Sequence, residues 1–217
     1  MDNSYLEQHW IKLCNSLPFG DIKLSRAIIL KDLEHLYSHP QRGYHNLDNH
    51  IQHCLKEFDA VKHLAINPKA LELAIWFHDA IYDTKIHGIE EMCADLAFST
   101  CRTAHLSVGF SQKVSDLVLA TRHIEEPLDI DAQLICDIDL SPLGLPQIDF
   151  DQNSVFIREE YGWVSNADFA KGRMNILKKY LDRRSLYITK YFQNKYGEQA
   201  RQNLLRSMAE LSRMLDT

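Results

Sequence analysis

The octapeptide WFHDAIYD, residues 76–83, sets a histidine beside an aspartate inside an apolar run. With Pro68 to Tyr82 as a helix, Leu71, Ile75, His78 and Tyr82 share one stripe, and Asp79 projects from nearly the same face. A buried, unpaired carboxylate costs several kcal/mol or takes up a proton, so Asp79 calls for a base, a donor network or a cation. The segment RGYHNLDNHIQHCLKEF carries His45, His50 and His53. On a helix His50 falls in register with Cys54, Phe58 and Val61 and faces inward, whereas His53 has no such face. In CDIDLSPLG, Asp139 lies nearer than Asp137 to the face marked by Leu128, Ile135 and Ile138. Each of these groups alone reads as a bonded core imidazole or a capping acid. Together, two histidines and two aspartates on inward faces of three helices offer two neutral nitrogens and two anionic oxygens, a first shell for a divalent cation. The set suits manganese, iron, nickel, magnesium or zinc, one or two ions per chain.

The elements that must position these groups are helices. Helical period dominates the 217 residues and strand-like alternation is scarce, so the expected fold is all-α. Helices are expected at Ser4–Leu17, Ser25–Ser38, Asp48–Leu64, Pro68–Tyr82, Ile89–His105, Ser111–Arg122, Asp129–Leu140, Asp149–Tyr161, Ala167–Leu181 and Gly197–Leu215. Asn67 with Pro68 and then Ser111 mark helix starts, and Ser141-Pro142 marks an end. Pro18–Gly20, Pro40–Gly43, Pro142–Pro146 and Gly162 read as short loops within a single domain over 1–217. The composition, 45% hydrophobic and 25% charged, is that of a chain with a sizeable core. No stretch is long and apolar enough to span a membrane, and the N-terminus lacks a basic-then-apolar leader, so neither membrane insertion nor secretion is expected. The five cysteines are odd in number and widely spaced, which argues against a disulfide framework or a zinc ribbon and for a cytoplasmic, reducing compartment. A net charge of −6 without a basic stripe argues against nucleic acid as the main partner, while a local group of arginines would still take a small anion.

The order of a histidine, then His78-Asp79, then a distant Asp139 resembles the H…HD…D signature of the HD superfamily of metal-dependent phosphohydrolases. The stretches RGYHNLDNHI, LAIWFHDAIYD, the Glu90-Glu91 pair, LATRH, DIDLSPLG, IREEY, GRMNIL and ARQNLL are similar to a bacterial branch of that superfamily over nearly the whole chain. The resemblance implies an HD-type helical core over about 25–145 with a C-terminal helical extension over about 146–217. It implies a divalent metal held by His50, His78, Asp79 and Asp139. His45 and His50 are five positions apart, whereas the similar YHNxxH element of cyclic nucleotide phosphodiesterases separates its histidines by four, so both stay candidates for the first ligand. His50 is preferred because it lies on the apolar face and precedes Ile51. Ile89 stands where the family's acidic motif commonly has asparagine.

The activity implied is hydrolysis of a small-molecule phosphate ester, such as a nucleotide. His45 would donate a proton to the leaving alkoxide, and Asp83, Glu90 or Glu91 would orient or deprotonate the attacking water. Arg42, Arg158 and Arg173 are candidate phosphate donors, Arg42 first among them, and His123 would lie near the site. Two rival readings remain: an HD-type di-iron oxygenase using further ligands from His53, His87 and His123, and a non-catalytic module that binds a nucleotide or a metal. Oligomeric state is left open.

Overall fold

The computed structural model describes residues 3–18 and 22–215. Their regular structure is helical, with no strand among the described residues. In chain order the helices are α1 (Asn3–Ser16), α2 (Ile22–Tyr37), α3 (Gln52–Val61), α4 (Pro68–Phe77), α5 (Ile89–Thr103), α6 (Val108–Ala120), α7 (Ile130–Leu140), α8 (Gln147–Glu160), α9 (Asn166–Leu181) and α10 (Lys190–Leu215). Of the loop expected over 18–20, residues 19 and 20 lie outside the described residues.

Helix α4 is apolar on nearly every face, and a helix of that kind must be enclosed. Its residues Ala70, Leu71, Leu73, Ala74, Ile75, Trp76 and Phe77 are all buried. Helices α1, α3, α5, α6 and α7 pack around it and share one continuous core. A smaller cluster of Ala170, Leu177, Leu204 and Leu211 joins α9 to α10. The start of α10 belongs to the main core through Phe192, Tyr196 and Ala200.

Several helix ends differ from expectation because distant groups set them. Helix α10 begins at Lys190, upstream of Gly197. Just before it, the buried Asp137 carboxylate accepts bonds from the backbone N–H groups of Ile188 and Thr189 and from Thr189 Oγ1, each at 2.7 Å. Glu57 holds the same helix from the other side, accepting from Lys195 Nζ and Tyr196 Oη. A Cβ on Gly144 would lie 2.5 Å from Tyr196 Cβ, so only glycine allows this approach. Helix α6 starts at Val108 with Ser107 as its cap, rather than at Ser111, because the Ser107 side chain reaches the Phe110 N–H.

One polar clamp ties α1 to the core. His9 bonds Glu72 Oε1 through Nδ1 at 3.1 Å and Asp59 Oδ2 through Nε2 at 3.0 Å. Burial opposes its charging, but the bonds and charges of Glu72 and Asp59 outweigh this and raise its pKa above 6.5. A histidine whose folded pKa is raised contributes stability that is fully present below the unfolded value, about 6.5, and is lost as pH rises through the folded value. The Tm gap between the parent and a His9→Phe variant is therefore expected to be wide at pH 6 and to narrow by pH 9; a gap independent of pH would assign His9 a packing role only.

No helix among the described residues is long and apolar enough to cross a membrane. All five cysteines are buried and unpaired.

Candidate metal centre

The His78-Asp79 pair sits where α4 stops. The expected continuation to Tyr82 is absent because other groups satisfy the terminal carbonyls. Ala74 O accepts the His78 N–H, Ile75 O accepts from His78 Nδ1, Trp76 O accepts from Tyr37 Oη, and Phe77 O accepts the Ala80 N–H. Beyond the helix, Arg42 donates to the carbonyls of Asp79 and Ala80 at 2.7 Å each and to that of His45 at 2.8 Å. This cation at a helix C-terminus freezes the turn that carries Asp79. Removing it would leave three carbonyls without their donor, at about 1–3 kcal/mol for each one buried. Arg42→Ala is accordingly expected to lower the stability measured by urea unfolding by about 3 kcal/mol; a change under about 0.5 kcal/mol, the usual range of a surface substitution, would contradict the capping role.

His50 rides on a single π turn, Leu47–Ile51, that runs into α3. Asn46 caps it by accepting from the Asn49 N–H, and the Ile51 N–H bonds Asn46 O. A π turn holds one residue more than an α turn. The five-residue spacing of His45 and His50 is taken up here. Upstream, Gly43 lets α8 approach, since a Cβ there would stand 2.8 Å from Phe156 O.

These elements bring four ligand atoms together. His50 Nε2 lies 3.0 Å from His78 Nε2, 3.3 Å from Asp79 Oδ2 and 3.1 Å from Asp139 Oδ1. His78 Nε2 lies 3.4 Å from Asp79 Oδ2 and 3.5 Å from Asp139 Oδ1. His78 Nδ1 donates to Ile75 O at 2.9 Å, so in the neutral tautomer its Nε2 lone pair faces the group. Two imidazole nitrogens this close, flanked by two carboxylates, need positive charge among them, as protons or as a cation. Ligands at about 2.1 Å from a common ion stand about 3.0 Å apart at right angles and about 3.4 Å apart at tetrahedral angles. The observed edges match that range, so the donor set fits a divalent ion in size as well as in chemistry.

The electrostatics agree. Burial would raise the Asp79 pKa, but His78, His50 and His45 outweigh it and hold the carboxyl below its usual range. Asp139 is held well below in the same way, against burial, by His123, His50 and His78. His50 is raised against burial by Cys54, Tyr44, Asp139 and Asp79.

His50, Cys54 and His78 also form a group able to hold a metal ion. The Cys54 sulfur lies 3.9 Å from each nitrogen of the His50 ring, and a sulfur equidistant from both lies off the lone-pair axis of either. Burial also raises its thiol pKa. The carboxylates are both nearer and better aimed.

Around this group the expected site residues sort by geometry. His45 Nδ1 meets Glu160 Oε2 at 2.7 Å, and Glu160 Oε1 accepts the backbone N–H groups of Tyr44 and His45. Tyr82 donates to Glu160 Oε2 at 2.7 Å and stacks on the His45 ring at 4.5 Å. Glu160 is given no role in the site by the sequence analysis. Its only signal was an adjacent acidic pair at the end of α8, of which Glu159 is exposed and Glu160 buried. His123 Nε2 bonds Asp139 Oδ2 at 2.7 Å, which fixes that carboxylate. Its backbone sits at φ 52°, in the left-handed region, with its carbonyl held by Arg183.

The other candidates lie elsewhere. Asp83 is exposed and accepts the Lys85 N–H in a local turn. Glu91 is paired with Arg122. Arg42 is committed to carbonyls, and Arg158 bonds Tyr161 O, Val164 O and Asn166 Oδ1. Arg173 differs from both. It lines a cavity of about 460 Å³ together with His45, Asp79, Glu90, His123 and Asp139. No hydrogen bond or ion pair among the described residues reaches its guanidinium or the Glu90 carboxylate. Burial pulls the Arg173 pKa down, with Tyr180 and Tyr161 opposing. An unpaired, partly desolvated guanidinium beside a metal-type donor set has N–H donors that could take an anion.

Comparison of the chain with protein-family models, with curated proteins and with solved structures finds no match.

Proposed function

We propose that this chain is a metal-dependent phosphohydrolase of the HD type, acting on the phosphate ester of a small molecule. The observation that carries the proposal is the placing of the His50 and His78 Nε2 atoms within 3.5 Å of each other and of both the Asp79 and Asp139 carboxylates, at the wall of a cavity lined by an unpaired arginine. The order of those residues, which resembles the HD signature, connects the donor set to phosphoryl chemistry. When bound, a divalent ion supplies Lewis-acid charge and lowers the pKa of a coordinated water toward neutrality.

The chain's own groups supply the rest. Arg173 holds phosphoryl oxygens by paired N–H donation. In the imidazolium form of His45, Glu160 accepts the Nδ1–H, and the Nε2 proton passes to the leaving oxygen, which leaves the ring neutral. Tyr82 keeps the His45 ring in plane by stacking. Glu90, unpaired in the same cavity, orients the attacking water. The di-iron alternative asks for further histidines, yet His53 bonds Ser141 Oγ at 2.8 Å, His87 is exposed and His123 is committed to Asp139. Five buried, unpaired thiols support a cytoplasmic location.

The test is phosphate release by the manganese-loaded chain from a panel of phosphomonoesters, nucleotides and cyclic nucleotides. Release is expected from at least one class and is expected to vanish in Asp139→Ala. Full metal occupancy with no release from any of them would overturn the proposal in favour of a binding module.

A further inference from the structure

Among the described residues, Arg173 is the only lysine or arginine lining the 460 Å³ cavity or the adjoining one of about 160 Å³. The acids Glu90 and Asp168 stand in the wall of the larger one. One guanidinium and one divalent ion give two positive centres, enough to contact the oxygens of a single phosphoryl group. A second phosphoryl group would meet no further lysine or arginine in that lining and would face the two carboxylates. Tyr161, Trp163, Phe169, Ile157 and Ile176 make part of the wall aromatic and apolar. Trp163 is 56% exposed, yet its indole Nε1 donates to Thr84 Oγ1 at 2.8 Å, which pins it to the loop after the His78-Asp79 pair. Phe169 is fixed as well, with the Arg158 guanidinium 4.8 Å from its centroid and Tyr161 at 5.8 Å. Lys85 Nζ stands over the Trp163 ring, 5.8 Å from its centroid, and a pinned ring that lines the cavity is a preformed stacking surface.

Resting on the phosphohydrolase reading above, we propose that the site selects a phosphomonoester with one phosphoryl group on an alcohol that carries a flat aromatic ring. Stacking of a flat ring on an aromatic side chain changes affinity by about tenfold or more. A puckered ring of the same size keeps the apolar contact and loses the stacking.

The experiment titrates the manganese-loaded chain, in excess manganese, with phenyl phosphate, cyclohexyl phosphate and phenyl diphosphate by calorimetry, and assays phosphate release in the same mixtures. Phenyl phosphate is expected to bind about tenfold tighter than cyclohexyl phosphate and at least as tightly as phenyl diphosphate. The ring preference is expected to fall within about twofold in Trp163→Leu, a substitution at an exposed position that leaves the core intact. Equal affinity for the flat and puckered rings, tighter binding of the diphosphate, or no binding of phenyl phosphate overturns the inference. Ring preference, with no phosphate release here or from the wider panel, leaves this inference standing and sinks the hydrolase reading; release without ring preference does the reverse.

Discussion

Asp79→Ala is expected to abolish divalent-metal retention and, with it, phosphate release. The carboxylate lies within 3.4 Å of both ring nitrogens, so its removal takes one ligand of four and half of the negative charge that draws the ion in. Loss of a residue that merely orients a ligand costs about 10–100-fold in metal affinity, so loss of a ligand is expected to exceed 100-fold. The loss separates cleanly from misfolding. The turn around residue 79 is held by Arg42 through main-chain carbonyls, which the substitution leaves in place. Saturating manganese at about 100 times its Kd should stabilise the parent by about 2.7 kcal/mol. The variant should melt cooperatively at a Tm that does not respond to the metal. A variant that still binds manganese within about tenfold of the parent would remove Asp79 from the ligand set.

His45→Ala is expected to give the second largest effect, a fall in kcat of about 10²–10⁴-fold with little change in KM. The leaving group provides the control. An alkoxide needs a proton as it departs, whereas p-nitrophenolate leaves without one. The loss should therefore be large for an alkyl phosphate and several-fold at most for p-nitrophenyl phosphate. Glu160→Gln keeps the size of the side chain and removes the charge that pairs with the His45 imidazolium, so it should reproduce the same leaving-group pattern at smaller amplitude. Equal losses on both substrates would make His45 a structural partner of Glu160 and Tyr82.

The inward positions of His50 and His78 were legible because burial on a helix is encoded locally. A period near 3.6 ties each to its apolar neighbours, Cys54 and Phe58 in one case, Leu71 and Ile75 in the other. The all-helical fold was legible for the same reason. Helix ends were less so. Helix α4 stops at Phe77 because Tyr37 and Arg42, far upstream, accept the duty of satisfying that end, and nothing in WFHDAIYD announces them. Arginine by type says only that a planar cation is present; Arg42 was read as a phosphate donor and serves as a helix cap. Arg173, unmarked within GRMNIL, is the one left open to the cavity. Glu160 was invisible as a partner of His45 because the two are 115 positions apart and meet only when α8 crosses Gly43.

X-ray absorption of the chain loaded with one equivalent of zinc addresses the centre most directly. A first shell of nitrogen and oxygen alone at about 2.0–2.2 Å, with the outer scattering of two imidazoles, is the expected result. A sulfur scatterer at about 2.3 Å would place Cys54 in the shell and displace a carboxylate, and failure to retain zinc at all would leave Asp79 and Asp139 paired with protonated histidines.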